Sequence, residues 1–391
     1  MATATVPLSG TLAVLLDSPE VATLIADLEA TRWTGRPGYP IRSMVGMALL
    51  KSLYNLPTWT RTARLVAEHD ELQRVLGTVP SVYACYRFTA KMLDNEAALT
   101  ACTTAVLDRL RDEMPDLGST IAIDGSDLPA YANGQRFLSK GGPERERYSD
   151  PEASWGHRSA ISTRAHGGYY GYKIHAAVDT ATGLPVAWQV ETARDSEVPV
   201  VPTLLDRLAE RGWTTTYAVL DKGYDAETIY SACEDRGIRP IVPLRKTGKV
   251  VKGEHKPRTC EHGTWTFAGS DANRGASKWR CPTGECKPGS VWVKASRLHT
   301  LVPRSTDRWG DLYRQRGSVE REFGRLKHEW AMLPLRVRSM RRVRLHVDLT
   351  ILSMAKLQSP LVATGSPRPS RGFRGGSCGW AAPRWVAAWV R

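Results

Sequence analysis

Long apolar runs are missing from this chain. No stretch approaches the roughly 20 residues that a bilayer-spanning helix needs, so a helical membrane protein is excluded. A basic leader is missing too: residues 1–21 are mildly apolar but already contain Asp17 and Glu20, which does not suit a secretory signal. Cysteine is sparse, seven residues in 391, odd in number and irregularly spaced. That excludes a disulfide framework and points to thiols or metal ligands in a reducing cytoplasm. There is no internal repeat, hence no solenoid. Acidic residues fall short, 40 against 54 Lys plus Arg, a net charge of +14. What remains is ordinary globular composition, 42% hydrophobic and 24% charged, at a length suited to two domains.

The charge is concentrated. Residues 1–118 hold 11 basic and 13 acidic residues, a net of −2, whereas residues 245–345 hold 24 and 9, a net of +15. An excess confined to one stretch favours an anion-binding surface over diffuse solubilising charge, and nucleic acid is the commonest polyanion partner.

Residues 1–115 read as helical. Ile41, Met44, Val45, Ala48, Leu49 and Leu53 follow the i, i+3, i+4, i+7 spacing, stopping at Pro57. Further helices are expected over 59–67 and 82–93, the latter entered by Pro80 and an N-cap Ser81. Short helices with tight turns suit a helix-turn-helix-like bundle. Arg61 and Arg64 share a face there, as do Arg87 and Lys91, ready for phosphate contacts. A plain bundle with ordinary surface arginines is the alternative. From Ser119 the period becomes that of strands: 119–124, 169–179 and 184–191, then helix 198–211, strand 214–220, helix 226–235 and strand 238–244. The order β-β-β-α-β-α-β gives an α/β mixed sheet with flanking helices, an RNase H-like arrangement. Residues 246–312 break the pattern and read as a β-rich insertion. Helices resume over 312–329 and 341–357, and the Gly/Pro/Arg/Trp-rich tail 358–391 is expected to be disordered. The division is therefore 1–115, 116–357 with the insertion inside it, and the tail.

Asp124 and Asp221 each end a strand. A carboxylate there opposes burial unless something positive pairs it. On adjacent strands the two would share one sheet edge and could hold magnesium or manganese, as a pair of ions suited to phosphoryl transfer. Either aspartate alone reads more readily as a cap, and Asp127 and Asp225 read as cap or loop residues. In one continuous helix, Tyr313, Arg316, Glu320 and Lys327 would fall on a single face, with Val319, Phe323, Leu326 and Trp330 on the neighbouring arc. The plain reading of Arg316–Glu320 is a surface i, i+4 ion pair.

The tetrad Tyr313-Arg316-Glu320-Lys327, with IAIDGS around Asp124 and VLDKGYD around Asp221, resembles the bacterial insertion-sequence DDE transposases that carry the YREK signature. The resemblance spans about residues 30–357. It implies that Asp124, Asp221 and Glu320 form the metal triad of an RNase H-like core, and that Tyr313, Arg316 and Lys327 contact DNA phosphates. It further implies that the N-terminal helices bind terminal inverted repeats, that target DNA is a second partner, and that the chain works as a homodimer on DNA without any membrane. A domesticated or inactive DNA-binding descendant is the rival reading, as is a nuclease that cuts without joining.

Inside the insertion, Cys260, His262, Cys281 and Cys286 form a C-x-H and C-x4-C set that would suit zinc, with reduced surface thiols as the alternative. Trp265, Trp279, Trp292 and Trp309 lie in or beside it, packing being the commoner role. Cys85, Cys102 and Cys233 read as small core residues. His175, alternating with apolar neighbours, reads either as facing DNA or as a hydrogen-bonded structural histidine.

Overall fold

The computed structural model describes residues 8–31, 38–134, 148–158, 167–245 and 259–363. In chain order, α1 (Leu8–Leu16), α2 (Pro19–Ala30), α3 (Ile41–Leu53), α4 (Trp59–Glu68), α5 (Asp70–Leu76), α6 (Val82–Asp94) and α7 (Glu96–Glu113) come first. Then follow β1 (Thr120–Pro129), β2 (Ser154–Arg158), β3 (Gly167–Asp179), β4 (Pro185–Thr192), α8 (Val200–Glu210), β5 (Tyr217–Leu220), α9 (Glu227–Glu234) and β6 (Arg239–Ile241). The insertion gives β7 (Thr259–Cys260), β8 (Gly263–Thr264), β9 (Thr266–Asp271), β10 (Ala276–Arg280) and β11 (Ser290–Lys294). The chain then forms α10 (Asp307–Arg314), α11 (Gly317–His328) and α12 (Met340–Ala363). It divides into two compact units: Met1–Met114 with Leu128–Tyr172 and Phe323–Arg391, and Pro115–Asp127 with Lys173–Glu322. Among the described residues no helix is long and apolar enough to cross a membrane.

The first unit is a helical assembly. Helix α3 is buried from Ile41 to Ser52 apart from Arg42, more completely than a one-sided amphipathic helix, because α1, α2, α4 and α12 pack around it. Close approach requires Gly46: a Cβ there would meet Leu76 Cδ2 at 2.3 Å. Thr58 caps α4 by accepting from Arg61 N at 3.3 Å, and Ser81 caps α6 by accepting from Ala84 N at 3.2 Å. Helix α12 brings polar groups into this core. Lys356 Nζ donates to Glu20, which also pairs with Arg109 at 3.1 Å. His346 Nδ1 lies 3.5 Å from Lys51 Nζ, and its Nε2 lies 3.2 Å from the Met332 carbonyl oxygen. The predicted helix 341–357 runs on to Ala363, and His346 and Lys356 hold its buried face through these pairs. Residues 364–391, most of the predicted tail, lie outside the described residues, as do 246–258 of the predicted insertion. Strand β2, absent from the expected elements, pairs antiparallel with the first half of β3, Ser154 opposite Gly171 and Arg158 opposite Gly167.

In the second unit the sheet runs β4-β3-β1-β5-β6. A β3–β4 hairpin feeds a central β1, flanked by parallel β5 and then β6, with α8 and α9 packed alongside. That is the RNase H-like order. The hairpin turns at 180–183, where buried Asp179 accepts from Thr182 N and Oγ1 at 2.8 Å each, and Gly183 takes φ +78°. Its other oxygen accepts from Gly118 N at 2.9 Å, tying the hairpin to the entry of β1.

Candidate functional site: a carboxylate cluster beside the central strands

Parallel pairing sets the first geometric fact. Strand β1 matches β5 residue for residue, ending with Ile123 opposite Leu220. Asp124 and Asp221 are the next pair in that register; β1 carries on through Asp124 to Pro129, so Asp124 does not end its strand as expected, whereas Asp221 directly follows β5. Ile121, Ala122, Ile123 and Val219, Leu220 are all buried, which fixes that register. Asp221 accepts from Gly223 N and starts a tight turn, and Asp124 Oδ1 accepts from Gly125 N at 2.8 Å. Burial pushes the Asp124 carboxyl up to about 7; the Gly125 N–H opposes this, while the charges of Asp221 and Glu197 add to it.

Glu320 reaches the same cluster through Arg316. The guanidinium spans Asp124 Oδ2 at 3.5 Å and Glu320 Oε1 at 2.5 Å. It is therefore more than the surface pair that the i, i+4 spacing suggests. The single helix expected over 312–329 is in fact two. Helix α10 ends at Arg314, and i→i+3 bonds (Arg316 N to Tyr313 O at 3.0 Å, Val319 N to Arg316 O at 3.2 Å) tighten the link before α11. The common face predicted for the tetrad thus does not exist as one helical stripe. Tyr313 lies on α10, stacked on Trp309 with centroids 4.9 Å apart, against the apolar patch of Tyr217, Val219 and Ile241. Arg316 sits in the link, Glu320 in the first turn of α11, and Lys327, half-buried, in its last turn.

The sequence pattern missed several neighbours. Lys173, two residues before His175 on β3, pairs with Glu197 at 2.8 Å. Burial raises the Glu197 carboxyl, but Lys173 outweighs it and holds the group low. Tyr224, buried in the turn after Asp221, lies beside Glu197, Asp124 and Asp221, and burial with those charges drives its hydroxyl far up. His175 is buried, and neither ring nitrogen has a hydrogen-bond partner among the described residues, so it fits neither expectation. A Cβ on Gly125 would meet His175 Nδ1 at 3.0 Å, so a larger residue there would have to push the ring aside by a few tenths of an ångström. Glu197 and Tyr224 lie in turns without periodicity, and only the alternation placing Lys173 on the face of His175 was a readable signal.

Asp225, read as a loop residue, has a structural task. Its buried carboxylate accepts from Arg245 N at 2.7 Å, where the chain leaves for the insertion, and from Arg297 at 2.8 and 2.7 Å, where it returns. Arg304 adds a bond to the Val242 carbonyl at 2.9 Å. Within the insertion, Cys260, His262, Cys281 and Cys286 come together, their ligand atoms all within 4.8 Å of one another. Trp265 and Trp279 are buried beside them, Trp292 is exposed under Arg274 and Lys278, and Cys85, Cys102 and Cys233 are buried as expected.

An RNase H-like sheet with acidic side chains gathered beside its two central strands is the class of domain that this arrangement defines. Residues 115–355 match the family model described as Transposase DDE domain, and residues 8–89 match Transposase domain (DUF772). The chain belongs to the insertion-sequence DDE transposases. No curated protein matches it. Among solved structures it is similar to the piggyBac transposase in a synaptic complex with hairpin DNA, at 10% identity and a TM-score of 0.41, covering 90% of this chain and 75% of that one.

Proposed function

We propose that this transposase cuts DNA at the ends of its element and joins those ends to a target, using Asp124, Asp221 and Glu320 as metal-holding carboxylates. The observation that carries this reading is the parallel register that sets Asp124 beside Asp221, with Glu320 joined to Asp124 through one guanidinium. The donors suit a hard cation: all are carboxylate oxygens, and Asp124 is crowded by the negative charge of its neighbours. These three residues would hold a pair of magnesium or manganese ions. Such ions, when bound, polarise a phosphodiester oxygen and make a water or a 3′-hydroxyl acidic enough to attack.

The protein's own groups do the rest. Arg316 neutralises Asp124 and Glu320 in the absence of other cations, and turns to phosphate oxygens once those carboxylates are engaged. Tyr313 and Lys327 complete the phosphate contacts of the YREK set. Lys173 keeps Glu197 ionised, and the apolar strands behind Asp124 and Asp221 limit water on the sheet side. Residues 1–115 grip the terminal inverted repeats. Helix α6 exposes Tyr83, Tyr86 and Arg87, two rings and a cation suited to bases and phosphates. Because two ends must be held for one joining event, the working form is a homodimer on DNA.

The test is an assay with end-containing DNA, magnesium and a supercoiled target. The wild-type chain cuts and joins; Glu320→Gln still binds end DNA, but its cleavage drops by about a thousandfold or more. Binding without cutting by the wild type identifies a non-catalytic descendant, cutting without joining a nuclease, and full activity of Glu320→Gln overturns the assigned triad.

A further inference from the structure

The β-rich insertion is built from very short strands. Strands β7 and β8 are two residues each, β9 to β11 five or six. Its buried cluster consists of Trp265, Trp279 and Cys281, with Cys260, Cys286, Phe267, Val291 and Val293 packed against it. An apolar core that small does not hold a β module together unaided, and such modules use a covalent or metal staple.

The four ligand-type side chains sit on this cluster in two loops. Cys260 ends β7, and the two-residue turn Glu261–His262 leads to β8, with Gly263 at φ +113°. That hairpin is why a C-x-H spacing, tighter than the usual two-ligand knuckle, still brings both side chains to one side. Cys281 follows β10, and Cys286 lies in the loop to β11, closed by Cys281 N to Gly289 O at 3.0 Å and Gly284 N to Cys281 O at 3.2 Å. Across the loops, Cys260 Sγ is 3.8 Å from Cys281 Sγ, and His262 Nδ1 is 3.7 Å from Cys281 Sγ and 3.6 Å from Cys286 Sγ. A tetrahedral centre with Zn–S near 2.3 Å and Zn–N near 2.05 Å requires about 3.8 Å between sulfurs and about 3.6 Å between sulfur and nitrogen. These three spacings agree with both values, and all six lie within 4.8 Å. A disulfide needs its sulfurs at about 2.05 Å, and leaves the imidazole without a reason to face the thiols.

One further contact selects the histidine nitrogen. His262 Nε2 lies 2.9 Å from Glu285 Oε2. An Nε2–H donated to that carboxylate leaves the Nδ1 lone pair free and aimed at the sulfurs, the arrangement by which an outer carboxylate orients a metal-bound imidazole.

We propose that the insertion carries a structural zinc ion, bound by Cys260, Cys281 and Cys286 as thiolates and by His262 through Nδ1, with Glu285 as the positioning residue on Nε2. Four protein ligands close the coordination sphere, so this ion has no open position for substrate and serves the fold of the insertion. On binding, the three thiols release their protons to solvent and no electron is transferred. The site shares no residue with the Asp124, Asp221 and Glu320 set, and does not depend on the transposition reading.

The test uses the full chain, purified without chelator or added DNA. Elemental analysis should find about one zinc per chain, and the Glu320→Gln chain should hold the same amount, so that failure of the catalytic reading leaves this result untouched. Titrating the thiols with a mercurial in the presence of a zinc indicator should release that zinc from folded wild-type protein, which avoids reliance on a variant that may not fold. Cobalt substitution should give the strong visible bands of tetrahedral thiolate coordination. Cys286→Ser should lose the stoichiometric metal, whereas Glu285→Gln should keep it with affinity reduced by about tenfold. Zinc well below stoichiometry together with no cobalt bands overturns the proposal, as does a Cys260–Cys281 disulfide found by mass spectrometry under non-reducing conditions.

Discussion

Asp124 is a carboxylate that the fold makes uncomfortable. Its folded pKa is about 7 against an unfolded 3.8, raised by burial with the charges of Asp221 and Glu197. A raised acid favours the folded chain only while protonated, so its contribution is complete below about pH 4 and is lost as the pH rises through 7. Asp124→Asn should therefore stabilise the chain at pH 8 without added divalent ions, by about 2 kcal/mol after discounting for partial solvent access. The gain should vanish near pH 4, and magnesium should raise the melting temperature of the wild type but not of the variant. Thermal melts at the two pH values, with and without magnesium, measure all three. Both aspartates stood out in the sequence because an ionisable group directly after an apolar run conflicts with its surroundings, although β1 continues past Asp124 to Pro129, which the run of letters did not show. Glu197, Lys173 and Tyr224 were not, because their meeting depends on how a turn and a neighbouring strand close in space.

The helices show the same contrast. Helix α3 was readable from its apolar spacing, although it ends at Leu53, short of the Pro57 at which the sequence stops it, and Thr58 and Ser81 cap the helices that the sequence starts beside them. The break between α10 and α11 was not, because the residues on either side keep helical spacing and only a tightened turn at Gln315–Arg316 separates them. Helix α12 carries a pH consequence of its own. Burial, with nearby Lys51, lowers the His346 imidazole from 6.5 to about 3, so the folded chain keeps it neutral while the unfolded chain takes up a proton below 6.5. Stability from this site is whole above pH 6.5 and is lost as the pH falls toward 3. His346→Gln should flatten that acid limb relative to wild type, read as the urea midpoint at pH 7, 5.5 and 4.5. An unchanged slope would show that other groups govern the limb.

For the whole molecule, the +15 net charge of residues 245–345 against −2 for residues 1–118 bears on how DNA is held. If the basic stretch meets six or more phosphates, affinity for end DNA should fall by about a thousandfold between about 50 and about 200 mM salt. Filter-binding isotherms across that range decide it, and a nearly flat response would remove the basic stretch from the interface. The same region illustrates a freedom of construction. Outgoing Arg245 and returning Arg297 are both fastened to Asp225, and Arg304 clips the return path to Val242. Asp225 thus serves as a common tie for the residues on either side of the insertion. A shared tie of this kind lets both flanks keep their places when the stretch that joins them changes, so Asp225→Ala should loosen the two together, read as faster amide exchange at both.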